Sequence, residues 1–262
     1  MSLNEVTKLY ESLNKEFNSS NPNLQKCGEY LEKLKIAMIE FQFLVPENEA
    51  QDQKISLLTK TLEIGALWSI RVKDIPSFER YMAQLKTYYH DYSNLPQSQR
   101  MYSIIGLNLL RLLAQNRLSE FHTELETIEP DQLVSNIYIK HPVEIEQCLM
   151  EGSYNRVWNA RANVPANEYL FFMDILVDTI RNDIASCSEK AYASLPISDA
   201  ATLLYFNNEK EVLEFAKERN WNVNMADKKI YFVSNDKKTD EIPTKETISK
   251  ILNYARELER IV

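Results

Sequence analysis

The stretch Asn220–Val233, NWNVNMADKKIYFV, breaks the pattern of the chain around it. Trp221 and Val223 alternate with asparagines, MADK supplies turn residues, and Ile230–Val233 is a short β-branched and aromatic block. Alternation bounded by turn residues predicts two strands of a hairpin, with the return strand over Ile230–Val233. Upstream, SDAATLLYF predicts a short helix with Ser198 as N-cap, NN a turn, and EKEVLEFAKERN a second helix with Val212, Phe215 and Ala216 inward. Helix, turn, helix and hairpin is the order of a winged helix, so the hairpin reads as its wing over about 190–235.

Outside this stretch, apolar residues recur at helical spacing. Leu24–Leu44 carries Tyr30, Leu31, Leu34, Met38 and Phe41 on one stripe; Ile55–Val72 carries Leu58, Leu62, Leu67 and Ile70; Ser77–Tyr92 carries Phe78, Tyr81, Met82 and Leu85. Arg100–Ala114 has only Asn108, Arg111 and Gln115 as a polar stripe, which predicts a helix covered by neighbours at the centre of the array. LSEFHTELETI follows as its antiparallel partner. A longer helix, NEYLFFMDILVDTIRNDIASCSEKAY, presents Tyr169, Phe172, Met173, Leu176, Ile180 and Ile184 on one face before Pro196 ends it. After the wing comes a polar loop, SNDKKTDEIPTKE, and a final amphipathic helix bearing Ile248, Ile251, Leu252, Ala255, Leu258 and Val262. The expected fold is mainly α: a right-handed helical-repeat array, a winged helix, and a C-terminal amphipathic helix.

Composition narrows the function. The formal net charge is −8 over 262 residues, which repels phosphate backbones and anionic lipid. The second helix of the winged helix carries Glu209, Glu211, Glu214 and Glu218 against Lys210, Lys217 and Arg219, and Lys228, Lys229, Lys237 and Lys238 are offset by Asp227, Asp236, Asp240 and Glu241. A DNA reader needs a clear cationic excess there, so no nucleic acid is expected as a partner. The four glycines are isolated, so no phosphate-cradling loop can be written. The three cysteines lie far apart with no C-x-x-C, which fits a reducing compartment. No apolar run reaches signal-peptide or membrane-spanning character, and a soluble intracellular protein without membrane contact is expected.

Nothing in the sequence assembles an active site. His90, His122 and His141 fall in separate segments, so no metal-ligating set and no cofactor is expected. His141, read as sitting at a helix start before Pro142, lies seven residues from Cys148, a conceivable Cys–His pair that nothing orients. The carboxylates of Glu124, Glu126 and Glu129 have the spacing of a solvated face. The expectation is a non-enzyme with no catalytic or metal residues.

Binding surfaces are the alternative. A winged helix exposes a sheet edge that can pair with another chain's strand, while Ile230 and Phe232 face inward. The C-terminal stripe either folds back as a cap or seeks a partner; its spacing alone leaves both open. A third candidate surface gathers Tyr138, Lys140 and His141 with Glu151, Ser153, Tyr154 and Arg156 around the Gly152–Ser153 break.

The phrases LLAQNRLSEFHTELE, YIKHPVEIEQCLMEGSYNRVW, FFMDILVDTIRNDIA and LLYFNNEKEVLEFAKERNW, with KTLEIGALWSIRVKDIPSFERYMAQLK before and YARELERIV after them, resemble the PCI-domain family. Within it they are similar to the small non-ATPase subunits of the 26S proteasome lid. The resemblance runs from about Lys60 onward. It implies a helical array over 1–140, a PCI domain over 141–235, a polar linker over 236–246 and a bundle helix over 247–262. It also implies a non-catalytic scaffold supporting ATP-dependent degradation of ubiquitinated proteins in cytoplasm and nucleus. The partners implied are other PCI subunits of the lid, the proteasome base and a ubiquitin-receptor subunit, in a hetero-oligomer. PCI subunits of the COP9 signalosome or of a translation initiation complex are the alternative. In this family wings pack side by side and C-terminal helices gather into a bundle. Carried onto this sequence, the partner-binding residues are the edge strand Lys229, Ile230, Tyr231, Phe232 and Val233, and the stripe Ile248, Ile251, Leu252, Leu258, Ile261 and Val262.

Overall fold

The structure, a computed structural model, describes residues 3–19, 22–42, 50–92, 98–206, 208–225, 227–232 and 243–260. Two compact units divide at Ile180 and Arg181, inside the long helix α10 (Asn167–Ala191).

The first unit is helical throughout its described residues. It comprises α1 (Leu3–Phe17), α2 (Leu24–Gln42), α3 (Ala50–Val72), α4 (Ile75–Asp91), α5 (Met101–Ala114), α6 (Leu118–Glu126), α7 (Pro130–Ser135), α8 (Ile137–Met150), α9 (Tyr154–Ala160), and α10 as far as Ile180. Sequence neighbours pack on one another, as helical-repeat hairpins do: α1 on α2, α2 on α3, α3 on α4, α5 on α6. The boundaries follow local chemistry. Asp74 caps α4 by accepting the Ser77 amide at 3.2 Å, with Pro76 in the first turn. Asn136 caps α8 by accepting the Tyr138 amide at 3.1 Å. Val6, Leu13 and Phe17 from α1 meet Cys27, Leu31 and Leu34 from α2 and Ile64 from α3 in one core. The predicted α4 stripe of Phe78, Tyr81, Met82 and Leu85 is buried.

Helix α5 is enclosed, as its composition predicts, and so are Asn108 and Arg111 of its polar stripe, while Gln115 at its C-cap is exposed. Asn108 is 2 % exposed and Arg111 6 %. Arg111 donates to Asn108 Oδ1 from Nε at 3.2 Å and from Nη2 at 2.9 Å, to Gln115 Oε1 at 3.1 Å, and pairs with Glu79 of α4. A guanidinium with this many acceptors tolerates an interior position.

Helix α5 crosses close against α8. A Cβ at Gly106 would overlap the Tyr138 carbonyl and the Tyr169 hydroxyl, so only glycine permits this approach. Pro142 lies inside α8 and has no N–H for the Tyr138 carbonyl four residues back. The Tyr169 hydroxyl occupies that position, 3.3 Å from the Tyr138 oxygen and 3.0 Å from the Ser103 carbonyl. Three residues far apart in sequence thus form one joint.

The second unit is the winged helix. After α10 come β1 (Ser194–Pro196), α11 (Ile197–Leu203), α12 (Glu209–Glu218), β2 (Asn222–Asn224), β3 (Lys229–Tyr231) and α13 (Thr244–Glu259). The sheet is antiparallel in the order β1-β3-β2, with Leu195 and Val223 both opposite Ile230. Ile197, Ala200, Val212, Ile230 and Phe232 form its core. Phe206, Phe215, Trp221 and Phe232 follow one another at centroid spacings of 5.7, 5.7 and 5.1 Å, tilted or edge-on. The end of α10 is tied in by Arg181, which donates to the Leu204 and Tyr205 carbonyls at 3.2 Å each, and by Glu189, which accepts the Trp221 indole N–H at 2.7 Å.

Two expectations are corrected here. Strand β1 was not foreseen: Ser-Leu-Pro is too short to show alternation, and Pro196 reads only as a helix stop. Nor is Ser198 the N-cap of α11. That helix starts at Ile197 with Pro196 at the cap, and the Ser198 hydroxyl donates to Asp199 Oδ1 at 3.1 Å.

Candidate partner-binding surfaces

The wing carries the first candidate surface. Along β3, Ile230 and Phe232 are buried under the helices while Lys229 and Tyr231 are exposed, the alternation a half-buried strand requires. Val233 lies outside the described residues. The expectation that β3 offers a free backbone edge is overturned, because β1 and β2 pair with it on either side. Among the described strands the outer edges belong to β1 and β2. Proline at β1 position 196 removes one donor from that edge, which leaves Asn222–Asn224 the better template for strand addition. What β3 contributes outward is its side chains, Lys229 and Tyr231.

The second surface is α13. Pro243 to Arg260 are exposed at every position, and the apolar stripe is no exception. Ile248, Ile251, Leu252 and Leu258 are between 49 and 63 % exposed, and Tyr254 is 69 % exposed. Tyr254 escaped the sequence reading although it stands three residues after Ile251, on the same side. Ile261 and Val262, with most of the preceding linker, lie outside the described residues. Helices with this contrast between faces ordinarily bury the apolar one. Here it is not covered by any described residue.

The third candidate dissolves in part. Tyr138 is half-buried against Tyr169, 6.3 Å between centroids, and Tyr154 is half-buried as well. Lys140 and Arg156 are exposed and lie 3.7 Å from Glu144 and 3.5 Å from Glu151 respectively. His141 is not at a helix start but inside α8 and only 9 % exposed, because it shares a buried face with Ile145 and Cys148 and lies edge-on to Tyr169, 6.2 Å between centroids. Its Nε2 has no hydrogen-bond partner, and burial holds its pKa below the ordinary histidine value. No hydrogen bond joins it to Cys148 among the described residues, so the Cys–His pair is not formed.

Among the described residues no group of histidine, cysteine and carboxylate side chains could hold a metal ion, and no helix is long and apolar enough to cross a membrane.

The profile of the CSN8/PSMD8/EIF3K family matches residues 99–242. The chain is 41 % identical to the 26S proteasome non-ATPase regulatory subunit 8 homolog A of Arabidopsis thaliana, over 99 % of this chain and 98 % of that protein. It is 36 % identical to the 26S proteasome regulatory subunit rpn12 of Schizosaccharomyces pombe, over 100 % of this chain and 99 % of that protein. The same identity holds with RPN12 of Saccharomyces cerevisiae, over 100 % and 99 %. A profile match over more than half the chain, and relatives aligned from end to end, place this winged helix and its helical array in the CSN8/PSMD8/EIF3K family, to which the chain belongs.

Proposed function

We propose that the chain is a non-catalytic scaffold subunit of the 26S proteasome lid, supporting ATP-dependent degradation of ubiquitinated proteins. The observation that carries this is α13. An amphipathic helix whose apolar stripe is exposed along its whole length has a face made for another protein. The names of the relatives aligned end to end say which assembly would supply it, and they favour the proteasome over the signalosome or an initiation complex.

In this reading residues 1–140 act as the helical array, 141–235 as the PCI domain, 236–246 as a linker and 247–262 as a bundle helix. Ile248, Ile251, Leu252, Leu258, Ile261 and Val262 enter a bundle with partner helices. Lys229, Tyr231 and the adjoining wing strands meet a neighbouring PCI subunit, with Ile230 and Phe232 supporting them from beneath. Tyr138, Lys140, Tyr154 and Arg156 are left as a lesser contact. The base and a ubiquitin-receptor subunit are further partners, in cytoplasm and nucleus. Chemistry on the substrate is left to other subunits, in keeping with the "non-ATPase regulatory" names of the relatives.

Affinity purification of the tagged chain, with and without residues 244–262, tests this. Recovery of lid and base subunits by the full chain and their loss on truncation supports both the assembly and the helix. Equal recovery by the truncated chain moves assembly to the wing or the array. Recovery of signalosome or initiation-factor subunits in place of the proteasome overturns the assignment.

A further inference from the structure

The first unit holds a cavity that neither the wing nor α13 uses. It has a volume of about 460 Å³ and is walled by α1, α3, the end of α4 and the residues entering α5. Its floor is Glu63, only 2 % exposed. Both carboxylate oxygens are already engaged: Oε1 accepts the Tyr89 hydroxyl and Oε2 the Ser98 hydroxyl, each at 2.9 Å. Lys60 and Arg100 also line it, together with the phenols of Tyr10, Tyr88 and Tyr92. Neither Lys60 nor Arg100 has an ion pair or a side-chain hydrogen bond to another described residue. A buried carboxylate facing open volume beside two cations is unusual on a surface whose whole-chain charge is −8.

The charge balance decides what fits. With Glu63 ionised, the lining carries one net positive charge. Burial pushes this carboxyl up while its two hydroxyl donors oppose the shift, and a protonated Glu63 leaves two. An entering cation would meet Lys60 and Arg100 and find the floor carboxylate already satisfied. An entering carboxylate finds two cations and several phenolic donors, in a recess where water screens such contacts less than at an open surface.

A second cavity of about 590 Å³ shares Tyr89 and Met101 with the first. Its lining is more apolar, with Met82, Ile105, Tyr102 and Ile128, and it also holds Lys86 paired with Glu124, together with Asp91 and Glu129, so an acidic side chain is confined to the first cavity. Two recesses side by side, one cationic and one apolar, suit a chain that rises about 3.3 Å per residue rather than a single small molecule. Tyrosine and methionine, which dominate the shared wall, are residues that interface cores favour.

We propose that these adjoining cavities dock an extended segment of a partner protein, which presents an Asp or Glu side chain to Lys60 and Arg100 and an apolar side chain beside Met82 and Ile128. The proposal is independent of which assembly the chain serves.

The test uses the purified full chain and fluorescein-labelled peptides, acetylated and amidated at their ends. Each contains one Glu and one Leu separated by zero to five serines, and binding is read by fluorescence anisotropy. At least one spacing binds, and its affinity falls about tenfold or more when the peptide Glu becomes Gln or when Lys60→Glu or Arg100→Glu is introduced. Replacing the peptide Leu with Ser weakens binding without abolishing its salt dependence. Lys60 is exposed, so its variant keeps the thermal unfolding of the parent and separates lost binding from lost folding. The proposal is overturned if no spacing binds, if the Gln peptide matches the Glu peptide, if a Lys-for-Glu peptide binds as well, or if inorganic phosphate alone displaces nothing from a bound acidic peptide at high concentration.

Discussion

Helices α5 and α13 differ in length by two residues, 14 against 16, and invert each other's logic. In α5 even the polar residues are interior, and each finds its partner within the chain: Arg111 with Asn108, Gln115 and Glu79. In α13 even the apolar residues are in water. One helix is finished by its own fold; the other leaves its apolar face uncovered by any described residue. An isolated helix of this length is marginal in water, and no described contact covers the apolar face of α13, whereas α5 contributes its buried side chains to the stability of its unit.

Substitutions can break this contrast. The largest loss is expected from Leu110→Ala in α5, a fully buried leucine whose removal leaves a cavity; unfolding stability should fall by about 3 kcal/mol in denaturant titration. If Leu110→Ala costs as little as a surface change, α5 is not the centre of the core. Next comes Tyr169→Phe, which removes the single phenolic proton shared between the Ser103 and Tyr138 carbonyls and should cost about 1–2 kcal/mol by the same measurement.

His141→Gln is smaller and has a sign in pH. Burial holds the His141 pKa below its unfolded value of 6.5, so the unfolded chain takes up the proton first. The stability contributed by the neutral ring is fully present above pH 6.5 and is lost as pH falls through the lower folded value. The parent's melting temperature should therefore drop on acidification below that point, and the variant should drop less. Glu144, the acidic neighbour that opposes the shift, lies on the same helix. The smallest effect on the free chain is expected from Leu252→Ala in α13, within about 0.5 kcal/mol. The same change should reduce incorporation into the proteasome, read by co-purification. A large loss of stability in the free chain would mean that α13 is a cap after all.

The enclosure of α5 is legible in the sequence, whereas the exposure of α13 is not, because an amphipathic stripe reads the same for a cap as for a partner helix. A helix apolar on nearly every side has to be covered, and α5 is. Within it Asn108 and Arg111 pair with each other, a contact that spacing alone does not announce. The wing was legible from Trp221 to Phe232, but its middle strand was taken for its edge. The missing partner, Ser194–Pro196, is three residues long and ends in proline, below the length at which alternation carries information. His141 was misplaced for a related reason: Pro142 signals a helix start in sequence, while in the fold a distant tyrosine satisfies the carbonyl it orphans. The cavity beside Glu63 left no trace in the sequence, because Tyr10, Glu63, Tyr89 and Arg100 come from four separate segments that only packing unites.

The joint between Gly106, Pro142 and Tyr169 makes substitutions at these positions interdependent. A side chain at 106 pushes the helices apart, and an N–H at 142 supplies the hydrogen bond that the phenol now makes. Phenylalanine at 169 should be tolerated where residue 142 is not proline, and tyrosine retained where it is. The Pro142→Ala background tests that dependence in one protein: there, Tyr169→Phe should cost less than it does beside proline.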